Sequence, residues 1–362
     1  MMASLLPVIV LGVLAVALLL FYRPAVVLII FGLAAPVGLF DLPGGVSMSI
    51  AMSFLIAAVA MFDRLQRGLL PLARDLPALA VVVWVTGILI STVLSSNVFM
   101  SANFGAWQIA SALLAVGWAE LAGRLSTLRP ALVAWLVGAV VVSGSGLVMS
   151  SGGLESEYGG AVVTGRPTGI FAQPNEYGLY CMVVMIFTLG LAVMTAGWVR
   201  LLSVAVAAIS AVGLLLSLSR GAWLGAVAGV VLLAVLVPQF RRPLAVGAAL
   251  TVVGGAVLTL SPVKIPVVTI VLSRALSIGD QGSNPYDERV NLRAEGLREW
   301  AAAPLFGQGP NSYPELSREV SSLAAPSGGE HPHNFFIAVG AEQGFVGVVA
   351  VVLFGISVVL AS

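Results

Sequence analysis

The chain has two histidines, His331 and His333, and both fall in "GGEHPHNFF", where a polar stretch turns into a long apolar run. Three other places carry residues of types that handle anions. Arg166 precedes an apolar run in "GRPTGIFAQPNEYG", and Arg220 separates two apolar runs in "SLSRGAWLG". Arg289 and Arg293 are four residues apart in "DERVNLRAEG", so on a helix they share one face. A guanidinium is a planar fork of donors that matches phosphate or carboxylate oxygens two at a time, and it stays charged. An imidazole changes charge near neutral pH and can take a proton from a hydroxyl. Together these residues fit a chemistry that grips a phosphate-like anion and deprotonates a hydroxyl.

Each group also has a plainer reading. Arg220 can snorkel from a helix end, although ionisable groups at membrane depth are costly and usually functional. For Arg166 the anion role and a structural role stand level. Arg289 can be a surface helix charge, and Arg293 a partner of Glu295 or Glu299 on a solvated face. The histidines allow three roles. A metal site needs three or four ligands, and only His331, His333 and Glu330 cluster. A polar cap on the following helix is the second role and a general base the third. Asn334 has the chemistry of an N-cap. The positive end of the helix dipole disfavours imidazolium, so His333 is expected to be neutral and ready to accept a proton. Glu155 and Glu157 resemble a divalent-metal pair, but the glycine-rich "SSGGLESEYGG" around them reads as solvated loop. Glu176 and Glu342 lie in or beside apolar runs and each needs a partner. There is no P-loop, no G-x-S-x-G elbow and no C-x-x-C.

The elements that must position these residues are membrane helices. The 362 residues are 59% hydrophobic and 9% charged, with a mean hydropathy of +1.06; soluble domains carry about 25% charged residues. The net charge of +1 gives no basic footprint for nucleic acid. Cys181, alone, cannot form an intrachain disulfide and says nothing of redox compartment. A bilayer needs roughly 20 apolar residues per helix. Spans are expected near 3–22, 25–40, 46–62, 76–95, 102–122, 131–150, 170–196, 200–217, 221–238, 244–262 and 334–361. The fold class is therefore an all-α polytopic membrane protein with about eleven (10–12) spans. The first span has no basic start and no small-residue cleavage site, so it reads as retained. The seventh is expected to be broken by "QPNEY" at 173–177.

Arg23, Arg64, Arg67, Arg74, Arg124, Arg129, Arg200, Arg241 and Arg242 occupy alternate connections, which makes that side cytoplasmic and the N-terminus outer. The organisation is then a ten-span bundle over 1–262, an extracytoplasmic loop over 263–333, and a last span over 334–362. Within the loop a helix is expected near 287–303. Acidic residues start it, Val290, Ala294, Leu297 and Ala301 form an apolar stripe, and Pro304 with "GQGP" stops it.

Residues 333–348 read H-N, nine residues, then G-F-V-G-V, which is closely similar to the H-N-x9-G-x-x-G motif of bacterial O-antigen ligases. "SLSRGAWLG" resembles their arginine turn, with R-x-x-x-L from Arg220 to Leu224. "RPTGIFAQPN" resembles their R-x-x-G-x-F-x-x-P-N segment. Arg289, fifteen residues before the proline of "PLFGQGP", resembles their loop-helix arginine. The similarity runs from about 160 to 350. It implies a GT-C-like fold at the outer face of the bacterial inner membrane. It also implies a metal-independent, inverting glycosyltransferase without cofactor, whose donor is a glycan on undecaprenyl pyrophosphate. By this resemblance Arg166, Arg220 and Arg289 bind the diphosphate and His333 is the base. His331, Asn334 and Arg293 join them in substrate binding. The acceptor, whether glycan, lipid or protein, stays open, as does ligase against polymerase. Membrane lipids are the remaining partner, and nucleic acid is not expected. The alternative from another class is a transporter or flippase of the same lipid-linked glycan, without chemistry.

Overall fold

The structure is a computed structural model of the chain. It describes residues 26, 29–30, 41–42, 46–68, 76–122, 125–151, 156–158, 161–163, 166–171, 173–260, 271, 285–317 and 331–361. The expected spans at 3–22 and most of 25–40 lie outside the described residues. So do Arg23, Arg74, Arg124, Glu155, Glu330 and most of the non-helical parts of the 263–333 segment.

Among the described residues the regular structure is helical apart from two short antiparallel ribbons. In order the elements are β1 (Asp41–Leu42), β2 (Val46–Ser47), α1 (Met48–Gln66), α2 (Leu76–Leu94), α3 (Val98–Ala122) and α4 (Leu125–Ser151). There follow β3 (Ser156–Tyr158), β4 (Ala161–Val163), α5 (Pro174–Met194), α6 (Gly197–Leu216), α7 (Arg220–Leu236) and α8 (Arg241–Leu260). The last three are α9 (Pro285–Ala302), α10 (Tyr313–Leu316) and α11 (Phe335–Ala361). Five helical stretches among the described residues are long and apolar enough to cross a bilayer: Val98–Gly117, Arg129–Met149, Pro174–Met194, Gly197–Leu216 and Phe335–Ile356. A sixth is the pair α7 and α8 if taken as one element, bent by 119° at residue 237. The protein is a multi-pass membrane protein. Apolar residues on all sides of these helices leave no polar face to turn to water, which is the pattern of helices sheathed in lipid.

One expectation is overturned at once. The "QPNEY" cluster does not break a span. Gln173 is the N-cap of α5 and Pro174 its first helical residue, where the fixed proline φ and missing N–H suit the first turn. The polar residues mark a helix start, and the helix runs unbroken to Met194.

Two compact units divide the chain: residues 1–31, 38–131 and 281–362 form the first, and 32–37 with 132–280 the second. In the second unit α5 packs on α6 and α7. Tyr177 is fully buried and donates its hydroxyl to Ser143 O at 2.5 Å. Its ring occupies space left by two glycines: a Cβ on Gly146 would lie 2.3 Å from it, and one on Gly213 2.4 Å from its hydroxyl. Such small-residue approaches are how helices pack where lipid removes the hydrophobic drive. Leu136, Ala139, Val184 and Val206 complete the core beside them.

In the first unit α11 packs on α2 and α9, and α3 on α1 and α2. Gln343, buried in α11, accepts from Trp84 Nε1 at 3.0 Å and donates to Gln108 Oε1 at 2.7 Å. This polar trio ties three helices together.

One turn of α11 is not helical. Gly344 has φ 65 and ψ −161, a conformation open to glycine alone. A helix would join the N–H groups of Phe345 and Val346 to the carbonyls of Ala341 and Glu342. Instead Phe345 N–H donates to Pro304 O at 2.7 Å and Val346 N–H to Leu305 O at 3.2 Å. The freed carbonyls of Ala341 and Glu342 accept from Gln308 and Gly309 N–H, each at 2.9 Å. Segment 304–309 thus replaces, group for group, the bonds that the kink removes. Contact is backbone to backbone: a Cβ on Gly344 would lie 2.3 Å from Leu305 C, and one on Gly307 2.3 Å from Glu342 C. Replacing Gly344 with Ala is expected to lower stability by roughly 3 kcal/mol, from strained backbone and overpacking together. Gly355→Ala, exposed on the same helix with nothing within 4 Å of the added methyl, is expected to change it little. Unfolding in detergent checks the pair, and equal tolerance contradicts the stitched kink.

Candidate functional site

In the second unit the site begins with a corner. Helix α6 ends at Leu216, α7 begins at Arg220, and three residues join them. Leu218 takes φ 52 to make so short a turn. Ser217 O, at the end of α6, has no helical N–H to receive. Arg166 supplies the donors: its Nε and one Nη reach Ser217 O at 2.9 and 2.8 Å. The same Nη reaches Asn175 Oδ1, in the first turn of α5, at 3.0 Å. A guanidinium is well placed at the negative end of a helix dipole. Arg166 therefore ties the end of α6 to the start of α5, three residues before Arg220. Both α5 and α7 begin here without a side-chain cap bond, so N–H groups of two helix starts sit at the corner with two arginines. That is the make-up of an anion site.

In the first unit the site is the start of α11. Asn334 Oδ1 accepts from Ile337 N–H at 3.2 Å, which is N-cap geometry. His333, just before it, is exposed and has φ 50, and His331 is also exposed. Pro332, between them, is buried. It packs on α9 at Gly296, where a Cβ would lie 3.5 Å from Pro332 Cβ and 2.5 Å from Ile337 Cγ2. One turn back along α9 is Arg293. Its Nε is buried with no hydrogen-bond partner among the described residues. The ion pairs read from the sequence as its plainer fate go elsewhere. Glu295 pairs with Arg298 at 2.7 Å, and Glu299 accepts from Gln308 Nε2 at 3.2 Å. Burial, with Glu295 nearby, raises the Glu299 carboxyl above its ordinary range. Arg289 stands one turn before Arg293 on α9, and its side chain lies outside the described residues.

Helix α9 also turns a different face inward from the one its sequence suggests. Of the apolar stripe, Val290 is 45% and Leu297 52% exposed, and Ala294 and Ala301 are exposed too. The buried face is Leu292, Glu295 and Gly296. Close approach to α11 decides this, because Gly296 and Gly340 are where the two helices touch. A Cβ on Gly340 would lie 2.3 Å from the Trp300 ring.

The first unit thus brings His331, His333 and Asn334 to the helix that bears Arg289 and Arg293, and the second brings Arg166 to Ser217, three residues before Arg220. Sequence reasoning missed Asn175, and it took "GQGP" for a helix stop where it is also the stitch to α11. The signal was the pairing of that glycine-rich segment with the G-x-x-G of α11.

Residues 205–352 match the family model described as O-antigen ligase. The matched stretch holds Arg220, α9 and the histidines, and Arg166 lies outside it. No curated protein and no solved structure matches the chain. The match supports the motif resemblance: this stretch is O-antigen ligase-like.

Removing the Arg166 side chain leaves Ser217 O without its donors. Arg166→Ala is expected to cost about 1.5–3 kcal/mol, the range for bonds from a charged donor, and Asn175→Ala clearly less. Detergent unfolding measures both, and equal losses would mean that Arg166 acts through Asn175 and not through the helix end.

Proposed function

From the O-antigen ligase-like stretch at residues 205–352, we propose that the protein is a glycosyltransferase of the ligase or polymerase type, working on a lipid-linked glycan at the outer face of the bacterial inner membrane. The donor is a glycan on undecaprenyl pyrophosphate. No nucleotide sugar is present on that side, so the bond energy arrives in the lipid diphosphate. The observation that carries this reading is the seat of Pro332 on α9, which sets the histidine segment beside the arginine-bearing helix.

The roles follow from the chemistry. An acceptor hydroxyl attacks the anomeric carbon, a carbon–oxygen bond forms there, and the bond from that carbon to the diphosphate breaks. The hydroxyl proton passes to the imidazole of His333, and the lipid diphosphate leaves with the electron pair. Attack from the face opposite the leaving group inverts the anomeric centre. Arg220 and Arg289, with Arg166, bind the diphosphate oxygens and stabilise the growing charge. Support for Arg166 is qualified by its bonds to Ser217 O and Asn175, which give it a structural task as well. Arg293, with a buried Nε that no described residue engages, joins the donor-binding set. His331 and Asn334 orient the acceptor and the base. Arginines in place of a cation make metal unnecessary. In the rival reading, a transporter of the same lipid, the binding site uses discontinuous spans; α5 is continuous, but α11 is kinked at Gly344 and α7 and α8 are bent by 119°, so turnover and not span continuity separates the two readings.

The test uses purified full-length protein, an undecaprenyl-diphosphate glycan and initial rates of product formation. A general base contributes about 100- to 10,000-fold. His333→Ala is expected to lose activity in that range while still binding the donor, and His331→Ala to lose appreciably less. Donor binding without turnover in the wild type would favour transport. Loss of donor binding in step with rate in His333→Ala would make the histidine a structural cap.

A further inference from the structure

The contacts of α9 with α11 follow one order along both helices. Gly296 meets Ile337, Trp300 meets Gly340, and the carbonyls of Pro304 and Leu305 accept the N–H groups of Phe345 and Val346. Residue numbers rise together, so α9 descends parallel to α11. The stretch of α11 able to cross a bilayer runs from Phe335 to Ile356. At about 1.5 Å per residue, Val346 lies roughly 16 Å below Phe335 along the helix. That is about half of a ~30 Å hydrocarbon core, and Leu305 is bonded there. The chain then turns back. Gln308 and Gly309 donate to Ala341 and Glu342, one helical turn nearer the start of α11. Tyr313 donates its hydroxyl to Leu292 O, which lies before Gly296 on α9.

Three observations fit this hairpin to lipid. Residues 301–314 hold no charged side chain. The irregular backbone at 304–309 exchanges four hydrogen bonds with α11, and irregular backbone is tolerated at membrane depth only where protein pairs it. The apolar stripe of α9 faces outward: Ala294 and Ala301 are exposed, Leu297 is 52% and Leu305 60% exposed. It continues onto α11 through Phe345, 59% exposed, whose N–H is bonded to Pro304 O. Such a face is unfavourable in water and favourable among acyl chains. The last charges on the way down are Arg298 and Glu299. Arg298 pairs with Glu295 near the level of Ile337, within snorkelling reach of headgroups, and Glu299 accepts from Gln308. We propose that residues 297–306 re-enter the leaflet that holds the start of α11, with Leu297, Ala301 and Leu305 against its acyl chains. This part of the loop expected outside the bilayer thus lies within it.

The proposal does not depend on the glycosyltransferase reading, and its test does not use turnover. A nitroxide goes on Leu305→Cys, Val290→Cys or Val352→Cys, one at a time, in full-length protein in nanodiscs; all three positions are exposed. Cys181 is buried, which keeps it from the label. Oxygen concentrates in the hydrocarbon and a nickel chelate stays in water, so the ratio of their collision rates reports depth. The label at 305 should give a ratio close to that at 352 and several-fold above that at 290. A ratio at 305 equal to that at 290 overturns the proposal. So does a label at 305 that neither quencher reaches, since protein and not lipid then covers the stripe. Unmodified protein gives a second reading, with a phospholipid that carries a diazirine in mid-chain. Adducts on 297–306 support the re-entrant segment, and adducts on α11 with none on 297–306 overturn it.

Discussion

Inside a bilayer a backbone N–H or C=O has no water to turn to, and each one left unpaired costs several kcal/mol. The kink at Gly344 would orphan four such groups in α11, and segment 304–309 takes all four. That exchange constrains the rest of the first unit. It fixes the segment immediately after α9, because Pro304 and Leu305 are among the acceptors. Ser91 Oγ, donating to Glu342 O at 2.6 Å, joins α2 to the same point. The histidine end of α11 and the arginine helix are thus built on a single backbone junction, with side chains contributing mainly by being absent. Gly307 and Gly344 leave no room for a Cβ.

The second unit solves a similar problem with a side chain. Its α6–α7 corner is too tight to pair Ser217 O from within, and Arg166 reaches in from another segment. One consequence bears on function. An arginine already committed to a carbonyl and an amide is held in one orientation, and a preorganised donor loses less when it binds an anion. Structural and anion-binding roles therefore do not exclude one another at Arg166. Arg220, as the first residue of α7, is placed where helix N–H groups already favour negative charge.

Much of this was legible in the sequence because lipid imposes a simple rule on composition. The spans expected at 200–217 and 334–361 appear as Gly197–Leu216 and Phe335–Ala361, and Asn334 caps its helix as its chemistry suggests. The failures share a cause. The stripe Val290–Ala294–Leu297–Ala301 follows the rule that apolar faces turn inward, but contact between α9 and α11 needs the absent side chains of Gly296 and Gly340 more than it needs apolar ones. In "QPNEY" polarity suggested a break, and proline at the first helical position made a beginning. The replacement of helical bonds at Gly344 leaves only glycines as its trace.

The amide hydrogens of Gln308 and Gly309 test the junction most directly, since they belong to a segment without regular structure and owe any protection to the carbonyls of Ala341 and Glu342. Hydrogen–deuterium exchange on the full-length protein in lipid should find these two as slow as amides in the middle of α5, together with Phe345 and Val346. If Gln308 and Gly309 exchange at the rate of an open loop while α11 stays protected, the kink is not paired by this segment, and the placement of α9 against the histidines has no physical basis.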